Sequence, residues 1–534
     1  MAVVGSKTEA EWRRSALERM LRVEGFSVVI VCTGTEWQAK FWQARLERGK
    51  GYVIPATSDV VCVHEDWTTG GAGNGLGTLY AMRKAAAAYE GDLLGKLLSG
   101  EISVAVYHTA GKGTRLAPLP GAENNNKPGV KLPASAPVGE GGARVPLTIL
   151  ESVVKQTGVY AASRAGRASV FWGDQIFVPT LDTAYDAARA HADILCMLAP
   201  MPDARTWSEK GLEKYGLVAV SASGAACQIE KVDHATALEM TASLGEIESV
   251  GTSLGSFSVS AKLLQVLDAE FDEELSARAG SLDTDPHWWM PMTLPVEAYC
   301  KLMAKKGTEQ ADAMKHHARI QAMLAKFDDG GKHLLGPVDV GASAYWWDYG
   351  QLKLYLKNAL RLVEDGVEAD AMREFLGVAR GALASSPAVK SDPETVATAC
   401  DVGAGSTTSS VLANVTCAHI AVDEAVVVNC TARKIKAGKK SIAYNVVDDS
   451  DCLELEDGEV VTDVFQPDGT IVRQRSRIDV DGGKAWKLPV LDNKFSFEAV
   501  YKQNLATDII ATSALASKAH ADLAAKLACD PQVA

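Results

Sequence analysis

The chain has 534 residues, 47% hydrophobic and 23% charged, with a formal net charge of −13. That size supports two or three domains around a large core, and the acidic balance argues against a broad nucleic-acid or anionic-membrane surface while leaving room for a local cationic pocket. No run of about 18 apolar residues signals a membrane span, the N-terminus lacks a signal-peptide core, and ten scattered cysteines with no C-x-x-C pair fit reduced thiols in a cytoplasmic protein, an organelle being the alternative if a targeting segment has been removed.

In chain order, residues 8–24 read as an amphipathic helix, Ser27 to Cys32 as a β-branched strand, and Thr33-Gly34-Thr35 as a turn into a helix from Glu36 to Glu47. Val60 to His64 is a second strand. A glycine-rich run, Thr68 to Tyr80, contains Gly73-Asn74-Gly75 and leads into a helix, Ala81 to Tyr89. Apolar Ile102 to Tyr107 has the pattern of a buried parallel strand. It opens into HTAGKGTRLAPLPGAENNNKPGVKLP, His108 to Pro133.

That stretch suits a triphosphate. Gly111 and Gly113 permit a tight turn and close backbone approach. Amides from Ala110 to Thr114 can cradle phosphate oxygens, Arg115 can fork two of them, and Lys127 or Lys131 adds a point charge. Walker spacing is not satisfied around Lys112 and Thr114, and Gly-x-Gly-x-x-Gly is absent, which disfavours a P-loop kinase and a dinucleotide site. An ordinary glycine turn with solvated cations is the bland alternative.

Downstream, a helix is expected from Leu147 to Thr157 and a strand from Ala168 to Trp172, ending at Gly173-Asp174. Asp174 is a ligand candidate at a strand end, or a cap for the next helix. Tyr215-Gly216 and Glu230-Lys231 frame a hairpin. Asp283-Thr284-Asp285-Pro286-His287-Trp288-Trp289 could line a pocket or bind metal, a helix-start turn packed by two Trp being preferred. His316-His317 reads as a solvated helix face. Tyr345-Trp346-Trp347-Asp348 precedes a helix, Leu352 to Leu362, with Asp339 competing with Asp348 as a ligand. Alternating strands and helices indicate an α/β domain with a mostly parallel sheet over 1–380. Ser/Thr/Pro/Gly-rich residues 381–410 read as a linker or surface excursion. Short β-branched runs over 411–503 suggest a left-handed β-helix-like or irregular β domain of stacked coils. The Ala/Leu-rich end, 504–534, reads as a helix.

Ala110-Gly111-Lys112-Gly113-Thr114-Arg115-Leu116-Ala117-Pro118 followed by Lys127-Pro128 resembles the signature loop of sugar-1-phosphate nucleotidyltransferases, with Ala110 in place of the first Gly. The resemblance implies a Rossmann-like, GT-A-like domain. It implies catalytic roles for Arg115, Lys127 and Lys131, Mg²⁺ held by Asp174 and Asp348, and sugar-phosphate contacts from Gly216, Glu230 and Lys231. Nucleotide contacts fall to Gly73, Asn74, Gly75 and the Ala110–Thr114 turn. Val232 stands where the family has Pro after Glu-Lys, and Leu254 to Ser260 lacks the family's Asn. Gly73-Asn74-Gly75 precedes the loop rather than following it, an order similar to that of GDP-fucose-forming enzymes, which also carry a β-helical C-terminal region. The implied substrates are UTP or GTP and a sugar 1-phosphate, giving a nucleotide sugar and pyrophosphate. Neither nucleic acid nor membrane is an expected partner; assembly of copies through the C-terminal domain is. A nucleotide-sugar-binding regulatory or assembly protein with a decayed centre is the other reading.

Overall fold

The computed structural model describes residues 7–68, 70–381, 383 and 388–529. Its first helix, α1 (Glu9–Leu21), starts at Thr8, whose hydroxyl accepts from the Glu11 amide while Glu11 reaches back to the Thr8 amide, a reciprocal capping box. After β1 (Val28–Thr33), Thr35 caps α2 (Glu36–Arg48) through the Gln38 amide. Then follow β2 (Asp59–His64), α3 (Gly73–Ala88) and β3 (Val104–His108). The chain continues through β4 (Lys131–Ala136), β5 (Val145–Thr148), β6 (Arg167–Trp172), β7 (Gln175–Val178), β8 (Ala190–Pro200), β9 (Gly216–Ser221), β10 (Ala226–Glu230), β11 (Ile247–Ser260), β12 (His333–Asp339) and β13 (Tyr345–Asp348).

The main sheet is a mixed α/β sheet in the order β10-β9-β11-β6-β3-β1-β2, with β8 joining β11 to β12. β2, β1, β3 and β6 run parallel, and β11 is antiparallel to β6, β8 and β9. Every residue of β1 is buried, as a central parallel strand covered on both faces requires. Its alternate residues enter two cores: Val29 and Val31 on one side, Val28, Ile30 and Cys32 under α3 on the other. The parallel strand ends therefore share one edge, where open α/β sheets bind ligands.

The glycine-rich run differs from the sequence expectation. Gly73 to Gly77 is not a loop before a helix but the first turns of α3 itself. Close approach explains the glycines: a Cβ on Gly73 or Gly75 would lie 2.5 or 2.8 Å from the Leu282 carbonyl oxygen, and one on Gly77 2.9 Å from Glu65 Oε1.

Beyond residue 388 the chain forms β14 (Val389–Ser391), β15 (Val396–Thr398), β16 (Asp401–Thr408), β17 (Val411–Asp423), β18 (Val426–Ala437), β19 (Ile442–Tyr444), β20 (Val447–Asp448), β21 (Leu453–Leu455), β22 (Glu459–Phe465) and β23 (Ile471–Arg477). These are stacked parallel coils closed by an antiparallel β22–β23 pair. Val396 pairs with Val411, Val411 with Val426, Val426 with Ile442 and Ile442 with Val460. Asn414, Asn429 and Asn445 recur at one corner with φ of 52°, 53° and 56°, and Asn429 Nδ2 donates to Asn445 Oδ1 at 2.6 Å. Asn tolerates that left-handed backbone better than most residues.

Two boundaries change. Within 381–410, expected as a linker or surface excursion, β14, β15 and β16 lie as members of the stack. Ladder hydrogen bonds to β16 and β17 hold these strands despite a composition that looks like a loop; residues 382 and 384–387 lie outside the described part. The C-terminal helix spans Ile509–Ala528, capped by Asp508, while Asn504 ends a separate helix, Phe497–Asn504. Among the described residues no helix is long and apolar enough to cross a membrane.

The coil stack shares its core with the α/β part. Val411, Val426, Ile442 and Val460 pack in one cluster with Leu132, Ala134 and Tyr355, while alternate residues Leu412, Val427, Ala443 and Val461 face the interior of the stack. Ile442→Ala should therefore cost about 2–5 kcal/mol, the range for truncating a buried Ile. Chemical denaturation followed by both far-UV and near-UV circular dichroism measures it, and both signals should move to lower denaturant together.

Candidate active site

The turn after β3 begins at Thr109, whose hydroxyl donates to the Cys32 carbonyl at 2.9 Å. Gly111 and Gly113 take φ of 136° and 63°, backbone that few other residues adopt. A Cβ on Gly113 would also meet Lys127 Cγ at 3.2 Å, so the turn rests on the Lys127 stem. Thr114–Leu116 forms a 3₁₀ turn that leaves Arg115 exposed. Lys127 lies in a second such turn, Lys127–Gly129, and its ammonium ion-pairs with Asp174 Oδ2.

Asp174 follows β6, next to β3 on the shared edge. Asp348 reaches it from another part of the chain. β13 runs antiparallel to β7, with Asp348 opposite Gln175, and the Tyr349 amide donates to the Asp174 carbonyl at 2.9 Å. Gly350 makes the convergence possible: a Cβ there would lie 3.0 Å from both Asp174 Oδ2 and Asp348 Oδ1. Asp348 is further fixed by the Gly350 amide on Oδ1 at 2.6 Å and by Asn358 Nδ2 on its carbonyl at 2.8 Å. Burial raises the Asp348 carboxyl above its ordinary value, the Gly350 amide lowers it, and the Asp174 charge raises it again against Lys127 and Arg115. Asp339 does not compete for this place. Its Oδ1 accepts from the Leu198 and Gly341 amides at 3.0 and 2.9 Å, which ties it to the sheet. Two carboxylates with oxygen donors only, beside cations, form a set that a hard divalent ion such as Mg²⁺ fits.

A cleft of about 540 Å³ adjoins this edge, lined among others by Gly73, Asn74, Ala110, Gly111, Trp172 and Glu230. Gly255, at φ 76°, leaves room for Trp172, whose Nε1 would lie 2.1 Å from a Cβ there. Gly216 faces Glu230 across the β9–β10 ladder, and a Cβ on it would sit 3.1 Å from Gln228 Nε2. Burial would raise Glu230, but hydrogen bonds and charge from Lys306 and Lys231 outweigh it and hold the carboxyl below its ordinary value. Asp285 and Lys306 also line the cleft. Burial and the Glu230 charge push Asp285 up to about 6, with Lys306 opposing.

Several expected residues stand differently. Lys131 is not beside the carboxylate pair. It pairs with Glu123, its amide donates to the Tyr444 hydroxyl at 2.8 Å and its carbonyl accepts from Tyr355 at 2.7 Å, which makes it a join between β4 and the coil stack. Lys231 has a 65% exposed side chain and does not line the cleft; Lys306 reaches Glu230 from the cleft side. Asn74 is engaged with Thr284: its Nδ2 donates to Thr284 Oγ1 and its Oδ1 accepts from the Thr284 amide, both at 2.9 Å. Gly75 packs beneath Leu282 and Trp288 rather than lining the cleft. The Asp283–Trp289 motif is thus both a packed turn, with Trp288 and Trp289 buried, and a cleft wall through Asp283, Asp285 and Pro286. His316 and His317 are not a solvated face. Their Nε2 atoms meet the His287 and Leu294 carbonyls at 2.8 and 2.9 Å, and His317 is buried.

Glu65, His108, Trp172 and Lys306 also line the cleft; Glu65 and Lys306 stand outside every sequence motif, while His108 and Trp172 border the glycine turn and Asp174 without an expected role. Burial raises Glu65 and lowers His108 to about 4, so the imidazole is neutral at physiological pH. Their place just past an apolar strand is the local cue by which Glu65 and His108 could be found.

No family model matches the chain, and no curated protein does. Among solved structures, a Bacillus anthracis chain assigned provisionally as a glucose-1-phosphate thymidylyltransferase, in complex with a sucrose, aligns with 64% of this chain and 98% of its own at 13% identity and a TM-score of 0.19.

Asp348 yields a pH test. A carboxyl whose folded pKa is raised destabilises the fold when ionised, and that cost vanishes below the unfolded value of about 3.9. Asp348→Asn should raise the melting temperature at neutral pH. The gain should shrink as pH falls towards about 4, measured by differential scanning fluorimetry across pH.

Proposed function

We propose that this protein is an enzyme that transfers a nucleotidyl group from UTP or GTP to a sugar 1-phosphate, giving a nucleotide sugar and pyrophosphate. The convergence of Asp174 and Asp348 beside Lys127 and Arg115, where the glycine turn opens onto the Glu230 cleft, carries this reading. The order of motifs along the chain, similar to that of GDP-fucose-forming enzymes, supports it.

The sugar phosphate is already anionic at neutral pH, so its oxygen attacks the α-phosphorus in line without a general base. The new P–O bond forms as the bond to pyrophosphate breaks. Catalysis then reduces to alignment and charge neutralisation. Amides of the Gly111–Gly113 turn cradle the triphosphate, and Arg115 forks the departing pyrophosphate. Lys127 offsets charge at the α-phosphate. Asp174 and Asp348 would hold Mg²⁺, which would supply positive charge against the phosphate groups. Glu230 accepts from sugar hydroxyls, and Lys306, which lines the cleft beside it, supplies the cation there in place of the exposed Lys231. Asp285, raised by burial, is a second hydroxyl partner at that end.

Each nucleoside triphosphate should be incubated with a panel of sugar 1-phosphates and Mg²⁺, with pyrophosphate release as the readout. Turnover is expected with UTP or GTP. Arg115→Ala and Asp174→Ala should each lower it by about 10²–10³-fold, the scale for losing a transition-state charge contact, with unchanged circular dichroism. Near-normal turnover in both variants overturns this site. Nucleotide binding without pyrophosphate release in the unaltered chain would favour a binding protein instead.

A further inference from the structure

Three side chains with no part in nucleotidyl transfer meet at the floor of the cleft, and strand alternation puts them there. Val28 and Ile30 on β1, Val61 and Val63 on β2, and Val104 and Val106 on β3 all point into the core beneath α3. Continued by the period of two, the same face presents Cys32 one residue before the end of β1, Glu65 just past β2 and His108 at the end of β3. Parallel register aligns them, with Cys32 opposite both Val63 and His108. The thiol sulfur, a carboxylate oxygen and an imidazole nitrogen all lie within 4.8 Å of one another. Cys32 is buried behind, while Glu65 and His108 face the cleft.

Neighbouring residues shape this spot. Gly77 provides the space, since a Cβ there would stand 2.9 Å from Glu65 Oε1 and 3.4 Å from His108 Cε1. Thr78 Oγ1 lies 2.9 Å from His108 Nε2 and orients the ring, as outer-shell partners of a metal-binding histidine do. One sulfur, one nitrogen and one oxygen donor with an open side suit a borderline ion such as Zn²⁺, which accepts three protein ligands and an exchangeable fourth. Such an ion takes bonds of about 2.0–2.3 Å from these donor types, so the three side chains, with Cys32 Sγ 4.0 Å from Glu65 Oε1, close on it when it binds. Mg²⁺ avoids sulfur, so this set is chemically distinct from the Asp174–Asp348 pair.

We propose that Cys32, Glu65 and His108 bind a Zn²⁺-class divalent ion whose fourth coordination position opens into the cleft. The assignment does not depend on nucleotidyl transfer. Binding releases the thiol proton and forms a metal–thiolate bond, with no change of oxidation state.

The test is an anaerobic Co²⁺ titration of the chelator-treated full chain. Co²⁺ should produce a near-ultraviolet thiolate charge-transfer band and visible d–d bands that saturate at a single equivalent and are displaced by Zn²⁺. Cys32→Ser should abolish the near-ultraviolet band. His108→Gln and Glu65→Gln, which keep the thiol, should weaken Co²⁺ binding by about tenfold or more. Asp174→Asn should leave both bands in place. Circular dichroism checks the fold of each variant. A wild-type chain with no thiolate band overturns the proposal, as does a band or affinity unchanged in Cys32→Ser, His108→Gln and Glu65→Gln.

Discussion

The coil stack lies directly on the α/β core, and the placement of the candidate site depends on that packing. Val411, Val426 and Ile442 enter the same core as β4 and the helix Leu352–Arg361. Their burial is worth about 1.5–3 kcal/mol per side chain, enough that the two parts hold each other in one position. Tyr444 thereby reaches Glu123 and Lys131. The segment after the stack closes on the glycine turn: a Cβ on Gly482 would lie 2.3 Å from the Thr114 carbonyl oxygen, and Asn125 Nδ2 donates to the Tyr501 carbonyl at 2.7 Å. The turn that carries Arg115 is thus held between the sheet and the C-terminal region.

Charge is the second constraint. Asp174 and Asp348 approach over Gly350 in partly buried surroundings, where two carboxylates without compensation would repel. Lys127 supplies one compensating charge directly, and Arg115 adds its field to Asp348. An acidic chain with a net charge of −13 therefore keeps a cationic turn at one strand edge. Within the cleft, Glu230 and Asp285 stand around Lys306, so acids are paired with a cation there too.

Much of this was legible along the chain. The parallel strands β1, β2, β3 and β6 announce themselves by short apolar runs, and Arg115, Lys127, Asp174 and Asp348 belong to local motifs. Glu65 and Lys306 were not legible, because each is an isolated residue whose meaning comes from what faces it, and His108, though it opens the glycine stretch, takes its place in the cleft from Cys32 and Glu65 on neighbouring strands. Lys131 misled for the opposite reason: it sits four residues after Lys127, but β4 carries it towards Glu123 and Tyr444. Residues 389–408 looked like a linker because Ser, Thr and Gly carry little periodicity, and ladder partners from β17 made them strands.

By itself the sequence determined the α/β alternation, the glycine turn with its cations and the two carboxylates, because backbone propensity, period-two burial and glycine's conformational freedom act over a few neighbouring residues. The tertiary structure alone decided which carboxylate partners Asp174, which lysine meets Glu230 and that a thiol, a carboxyl and an imidazole share the cleft floor. Those choices depend on strand register and on the approach of segments far apart in sequence. Asp348 and Asp339 are nine residues apart and chemically identical, yet antiparallel pairing with β7 turns one to Asp174 while two backbone amides hold the other.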